Sequence, residues 1–183
     1  MLKTERLHIR RFKPEDVRDL YAYLSDPDVV RFEPYEPFSF EDCMLETLRR
    51  AKDGAFFAVC LPGSGKLIGN LYFQPREFDT WELGYVFNAA YQGKGYAIES
   101  AKALVDHAFS CLGARRVVAM CNPENLRSWH LMEKLGMRRE GHLIKNVSFK
   151  KDRLGNPIWN DTYEYAILKE EWKGLEIARG PQA

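Results

Sequence analysis

The segment that most constrains this chain is Tyr91-Gln92-Gly93-Lys94-Gly95-Tyr96-Ala97. An alternating stretch, "TWELGYVFN", leads into it and reads as a strand. Beyond it, the spacing of Ile98, Ala101, Val105, Ala108 and Leu112 predicts a helix from Gly95 to about Cys111. A strand that turns through two glycines into a helix brings loop amides and unpaired helix N–H groups to one spot. The partial positive charge of the helix N-terminus adds to them. Glycine at 93 and 95 lets the backbone approach an oxygen with no Cβ in the way, and Lys94 contributes charge. The product is an anion site suited to a phosphate.

Two familiar phosphate sites do not fit. A dinucleotide fingerprint needs a third glycine where Ile98 stands. It also needs an acid at the end of the next strand, which here ends Met120-Cys121-Asn122. The second glycine cluster, "PGSGKL" (62–67), lacks the earlier glycine of a P-loop and has Leu67 where a magnesium-binding hydroxyl belongs. It reads as a hairpin turn. A glycine turn that merely opens a helix is the competing interpretation of 93 and 95.

The rest of the chain supplies an order of elements. "RLHIRRF" (6–12) alternates as a first strand. Pro14 opens a helix with Val17, Leu20, Tyr21 and Leu24 on one side, and Pro27 closes it. After a proline-rich link, Ser39 and Asp42 begin a second helix whose apolar side is Met44, Leu45 and Leu48. "AFFAVCL", "KLIGNLYFQ" and "TWELGYVFN" predict an antiparallel meander. "RRVVAMC" is a short strand suited to burial, and "ENLRSWHLMEKLG" is a helix ended by Gly136. Two tail strands, near Arg138–Phe149 and Trp159–Leu168, flank the turn "DRLGNP", and residues after Trp172 read as a loose end. With no repeat and no low-complexity segment, residues 1–183 read as a single α+β domain.

Composition narrows the partners. A formal net charge of +1, with 45% hydrophobic and 29% charged residues, gives no general field for nucleic acid or membrane. No run is apolar enough to span a bilayer and no signal core opens the chain. Cys43, Cys60, Cys111 and Cys121 lie far apart, without metal or disulfide spacing. These features point to a cytoplasmic protein with no metal. No stripe demands a homodimer, which stays open.

Gln92-Gly93-Lys94-Gly95-Tyr96-Ala97 resembles the Q/R-x-x-G-x-G/A signature of the GCN5-related N-acetyltransferases (GNAT). Its surroundings strengthen the resemblance. "ELGYVFNAAYQGKGYA" is similar to the family's strand-and-loop motif, and "NPENLRSWHLMEKLGMRREG" to the next, an Asn before a helix ending K-L-G-[FM]. "TERLHIRRF" and "DTYEYAILKEEW" resemble the branch that holds ribosomal-protein N-terminal acetyltransferases. The resemblance runs from about Thr4 to Trp172. It implies a GNAT fold: a mixed central sheet with helices on both faces and splayed strands that hold coenzyme A.

It also implies roles. Gln92, Gly93, Lys94, Gly95, Tyr96 and Ala97 inherit the coenzyme's pyrophosphate; Tyr85, Val86 and Phe87 inherit the pairing with its pantetheine arm. An amide at Val86 or Phe87 polarises the acetyl carbonyl, because acyl transfer places charge on that oxygen. Asn125 inherits a hydrogen bond to pantetheine, alongside its reading as a helix cap.

The amine must be neutral to attack, and the preferred base is Glu82, directly or through water. The rival reading of Glu82 is a solvated strand carboxylate. Many family members carry a tyrosine seven residues after the Asn, to serve the departing thiol. Met132 stands there and has no proton to give. Ser128 matches a serine of the ribosomal-protein branch and is the candidate donor, with helix capping as its alternative. His107, His130 and Cys121 read as structural or surface groups. Phe32, Tyr35 and Phe38 line the acceptor side or anchor their loop. The implied activity is transfer of acetyl from acetyl-CoA to a primary amine, such as a protein N-terminus. A small-molecule amine acetyltransferase and a coenzyme A-binding sensor without turnover are the alternatives.

Overall fold

The computed structural model describes residues 1–172. Eight strands form one mixed sheet in the spatial order β1-β2-β3-β4-β5-β6-β8-β7. They are β1 (Leu2–Lys3), β2 (His8–Arg10), β3 (Phe56–Cys60), β4 (Leu67–Pro75), β5 (Thr80–Phe87), β6 (Arg116–Cys121), β7 (Arg138–Lys151) and β8 (Pro157–Leu168). Every pairing is antiparallel except β5 with β6. Four helices, α1 (Val17–Leu24), α2 (Phe40–Lys52), α3 (Tyr96–Cys111) and α4 (Leu126–Lys134), cover the two faces. The expected α+β GNAT architecture is the one observed, with β1 added before the first expected strand.

Alternation along the strands divides the interior in two. Ile9, Val59, Leu71, Phe73, Leu83 and Phe87 face α3 and α4, where Ala101, Leu104, Val105 and Met132 meet them. Ala58, Cys60, Leu67 and Val86 face α1 and α2, meeting Leu20, Tyr23, Leu24 and Cys43. Asp16 is buried before α1; its carboxylate accepts from both Arg10 Nη1 and Nη2 at 2.7 Å and ties that turn to β2.

Several local expectations hold. Ser39 caps α2 through Asp42 in a reciprocal box, and Gly136 sits at φ 82° after α4, as a helix-ending glycine should. "PGSGKL" is the β3–β4 turn, and Lys66 there pairs with Asp19 at 2.9 Å. Two expectations fail for one reason. On α1 the buried tyrosine is Tyr23, not Tyr21. On α2, Met44, Leu45 and Leu48 are exposed, and the buried residues are Cys43, Thr47 and Arg50. In both helices a polar partner fixes the rotation: Tyr23 and Arg50 converge on Asn70 of β4. On α3 the expected stripe ends early, since Leu112 is exposed. The loose end expected after Trp172 lies outside the described residues.

Candidate active site

β5 is held by β4 along its length, from Pro75↔Trp81 to Gly69↔Phe87. Its partnership with β6 stops early: Thr80, Trp81 and Glu82 pair with Arg116, Val117 and Val118, and then the strands part. β6 stays bound to β8 as far as Cys121. The sheet therefore opens into a V whose inner edges, 83–87 on one side and 119–121 on the other, carry backbone groups with no ladder partner across the gap. Buried backbone polar groups need partners, and an extended amide-bearing chain laid in the V would supply them.

Gly69 makes the V's outer wall tight. A Cβ there would come within 2.5 Å of Phe87 Cδ1 and 2.8 Å of the Val86 carbonyl. Only a glycine lets β4 approach the end of β5 so closely.

At the mouth of the V, Gly93 (φ 74°) and Gly95 (φ 83°) take left-handed backbone, and Gly95 is the N-cap of α3 with no side chain closing the helix. The first N–H groups of α3 are thus left for a ligand. The start of the chain braces this loop. Glu99 accepts from Thr4 Oγ1 (2.6 Å), Arg6 N (3.0 Å) and Arg6 Nε (2.7 Å), and Arg6 Nη1 donates to the Lys94 carbonyl at 3.1 Å. Lys94 is exposed, its ammonium over the Tyr91 ring; Tyr96 and Ala97 are half-buried in the first turn of α3. Gln92 turns inward: its Nε2 donates to the Phe87 carbonyl (2.8 Å) and its Oε1 accepts from Arg127 Nη1 (2.5 Å). Its side chain thus latches the end of β5 to α4. Arg127, which the motif reading passed over, thereby stands at the anion loop.

Asn125 caps α4 by accepting from Ser128 N at 3.2 Å. Its amide nitrogen has no protein partner among the described residues. Tyr85 crosses from β5 toward α4, its hydroxyl donating to the Ser128 carbonyl at 2.9 Å and lying 3.0 Å from Ser128 Oγ. Burial raises the Tyr85 phenol well above its ordinary value and keeps it protonated. Met132 is enclosed in the core. Cys121, beside Ser128, is pushed up to about 11, chiefly by burial, so it remains a thiol near neutral pH.

Glu82 lies on the other face of β5, with Val86, where the strands part. It is not an isolated carboxylate: Arg76 Nε donates to its Oε2 at 2.8 Å. Around Val86 this face is polar beneath. Asn70, its partner on β4, accepts at Oδ1 from Tyr23 Oη (2.8 Å) and from Arg50 Nη1 (3.0 Å), and Arg50 Nε donates to Glu46 at 2.6 Å. Above the network runs the 31–38 link. Tyr35 and Phe38 stack edge to face at 5.0 Å and pack on the Val86 cluster. Phe32, half-buried, sits under the Arg31 guanidinium. Glu33, beside Tyr35 and Arg50, is pushed up to about 7, chiefly by burial. Arg31 with Glu124 (3.6 Å) and Lys150 with Glu36 (3.2 Å) bridge the link to the β6–α4 loop and to β7.

A V lined with backbone donors and acceptors, opening onto a glycine loop at a helix N-terminus, suits a long, amide-bearing ligand that ends in phosphate. The chain belongs to the GNAT acetyltransferases: the acetyltransferase (GNAT) domain matches residues 6–138. It is 40% identical over 173 residues to YnaD, an uncharacterised N-acetyltransferase of Bacillus subtilis strain 168, covering 93% of this chain and 98% of that one. A GNAT-family acetyltransferase from Bacillus anthracis superposes with a TM-score of 0.84 at 39% identity, covering 93% and 99% of the two chains. Two Escherichia coli K12 relatives carry acceptor names: spermidine N(1)-acetyltransferase (26% identity) and [ribosomal protein uS5]-alanine N-acetyltransferase (25%). Each alignment covers 93% of this chain and 92% of the relative. The protein is thus an acetyl-CoA-dependent N-acetyltransferase. The resemblance to the ribosomal-protein branch rests on a more distant likeness than the one to YnaD. No helix among the described residues is long and apolar enough to cross a membrane.

Proposed function

We propose that this protein moves acetyl directly from acetyl-CoA to a primary amine within a ternary complex, both reactants meeting at the V. The observation that carries this reading is the two-sidedness of β5. Tyr85 faces α4 while Glu82 and Val86 face the link, so donor and acceptor reach one strand from opposite faces. The loop 92–97 and the open N-terminus of α3 hold the pyrophosphate, with the inner edge at Tyr85, Val86 and Phe87 pairing the pantetheine arm and Asn125 Nδ2 reaching its amide. An N–H at Val86 or Phe87 supports the acetyl oxygen as charge develops there. Glu82 takes the amine's proton, directly or through water, with Arg76 holding one of its oxygens in place. Ser128 stands at the sulfur end of the site, where Tyr85 meets it. A protonated Cys121 favours direct transfer over an acetyl-cysteine intermediate.

The acceptor we favour is a protein N-terminal α-amine, as in the uS5-alanine relative. Such an amine, with a pKa of about 8, needs only a modest base. The spermidine relative supports the second reading, a small-molecule amine. The cytosol, where thiols stay reduced, is the compartment this implies. The deciding experiment measures acetyl-CoA-dependent thiol release over peptide α-amines, lysine peptides, polyamines and aminoglycosides, with Glu82→Gln and Ser128→Ala alongside. Turnover on the α-amines alone supports the first acceptor. Coenzyme binding with silence across the panel replaces the enzyme reading by a coenzyme A sensor.

A further inference from the structure

We propose that the side-chain hydroxyl of Tyr85, delivered from β5, donates the hydrogen bond that stabilises the departing coenzyme A thiolate. This deepens the acetyl-transfer reading and rests on it.

The geometry begins with what α4 lacks. Met132 is 1% exposed and packed in the core, so no hydroxyl comes from that turn of the helix. One turn earlier, Ser128 is buried, and the group that meets it is Tyr85. Tyr85 lies between Glu82, the last residue of β5 paired to β6, and the unpaired end at Phe87. Its side chain spans the gap on the α4 side, so a thioester lying in the V rests against it. The phenol proton is directed at the Ser128 carbonyl (2.9 Å), while Ser128 Oγ stands 3.0 Å from the phenol oxygen. The Ser128 carbonyl is an acceptor that an arriving sulfur anion can replace by a small rotation of the O–H. The other polar group there, Cys121, is a protonated thiol, so no anion already claims the donor.

In the step itself, the amine nitrogen forms a bond to the acetyl carbon and the carbon–sulfur bond breaks with its electron pair on sulfur. The amine's proton goes to Glu82 or water. Tyr85 gives a hydrogen bond and keeps its proton, as burial dictates for a phenol. The thiolate takes its proton from solvent on release.

Two measurements on the full chain test this. The first needs no acceptor: the thiol of bound coenzyme A is titrated through its ultraviolet thiolate absorbance, with desulfo-coenzyme A as the blank, in wild type and Y85F. Tyr85 donation predicts a bound thiol that ionises about one pH unit lower in wild type, a tenfold difference; equal titrations overturn the proposal. The second uses whichever amine is turned over. Y85F is expected to lose about 10²-fold in kcat with the coenzyme Kd within about threefold. Fluorotyrosines at position 85, which keep the ring's shape, should give kcat that rises with phenol acidity. A flat fluorotyrosine series, or Y85F within twofold of wild type, overturns it. A wild type that lowers the thiol titration yet acetylates nothing would instead sink the acetyl-transfer reading and leave the donor in place.

Discussion

The two faces of β5 meet different materials. In the proposed reading, the working groups on the coenzyme side are backbone: the open first turn of α3, the left-handed Gly93 and Gly95, and the inner edge of β5. On the proposed acceptor side they are side chains gathered from far apart. Tyr23 comes from α1, Glu33 and Tyr35 from the link, Arg50 from α2, Asn70 from β4 and Glu82 from β5. A backbone site depends on where the chain runs and tolerates side-chain change. A side-chain site depends on each member, and one loss strands the others. This is how one coenzyme cradle serves many acceptors.

The hardest way to break the contrast is Arg50→Ala. It strips one of two arginine partners from Glu46 and one of two donors from Asn70 in a buried setting, and should destabilise the fold by about 2–3 kcal/mol in denaturant titrations. If the sides are separable, the folded fraction still binds coenzyme A within about threefold of wild type. Gly69→Ala attacks the other side. Its Cβ must displace the Phe87 ring and the Val86 carbonyl, costing about 1–3 kcal/mol and lowering coenzyme affinity about tenfold in calorimetry.

A finer probe is Glu33→Gln. A carboxyl raised from 4.5 to about 7 by burial favours the folded state while protonated. Its contribution is full below pH 4.5 and is lost as pH rises through 7. The half-buried position limits this to about 1–2 kcal/mol. Wild type should therefore lose stability between pH 4.5 and 8 relative to Glu33→Gln, with the two alike at pH 4; parallel curves would remove the effect. The smallest change is expected from Arg127→Ala. It frees Gln92 and removes a cation from the anion loop, weakening coenzyme binding about threefold, with a gentler salt dependence than wild type.

The same division governs what could be read from the residues alone. Loop, helix start and meander were legible because glycines, caps and alternation lie within one short window. The orientation of α2 was not, since its buried face is Cys43, Thr47 and Arg50 and an apolar pattern points to the exposed Met44, Leu45 and Leu48. Residues spaced 43, 47, 50 do share a helix face, but nothing local says that an arginine belongs inside; Asn70, 20 residues later, says it. Glu33 was missed likewise, because its burial and its nearness to Arg50 of α2 come from the fold and not from the link itself. Gln92 was named for the pyrophosphate, and its side chain looks back to Phe87 and Arg127. Glu82 was named without Arg76, which reaches it only around the β4–β5 turn.

β7 is an outer strand of the sheet among the described residues, and its pairing with β8 slips three times, around Gly141, Val147 and Lys150. Lys145 there takes a left-handed φ of 47°. A long border strand with Leu143, Ile144 and Phe149 exposed would otherwise be a flat template for sheets of other molecules. The bulges bend that border and interrupt its row of backbone donors, and lysines punctuate it. The irregular hairpin therefore also works against aggregation.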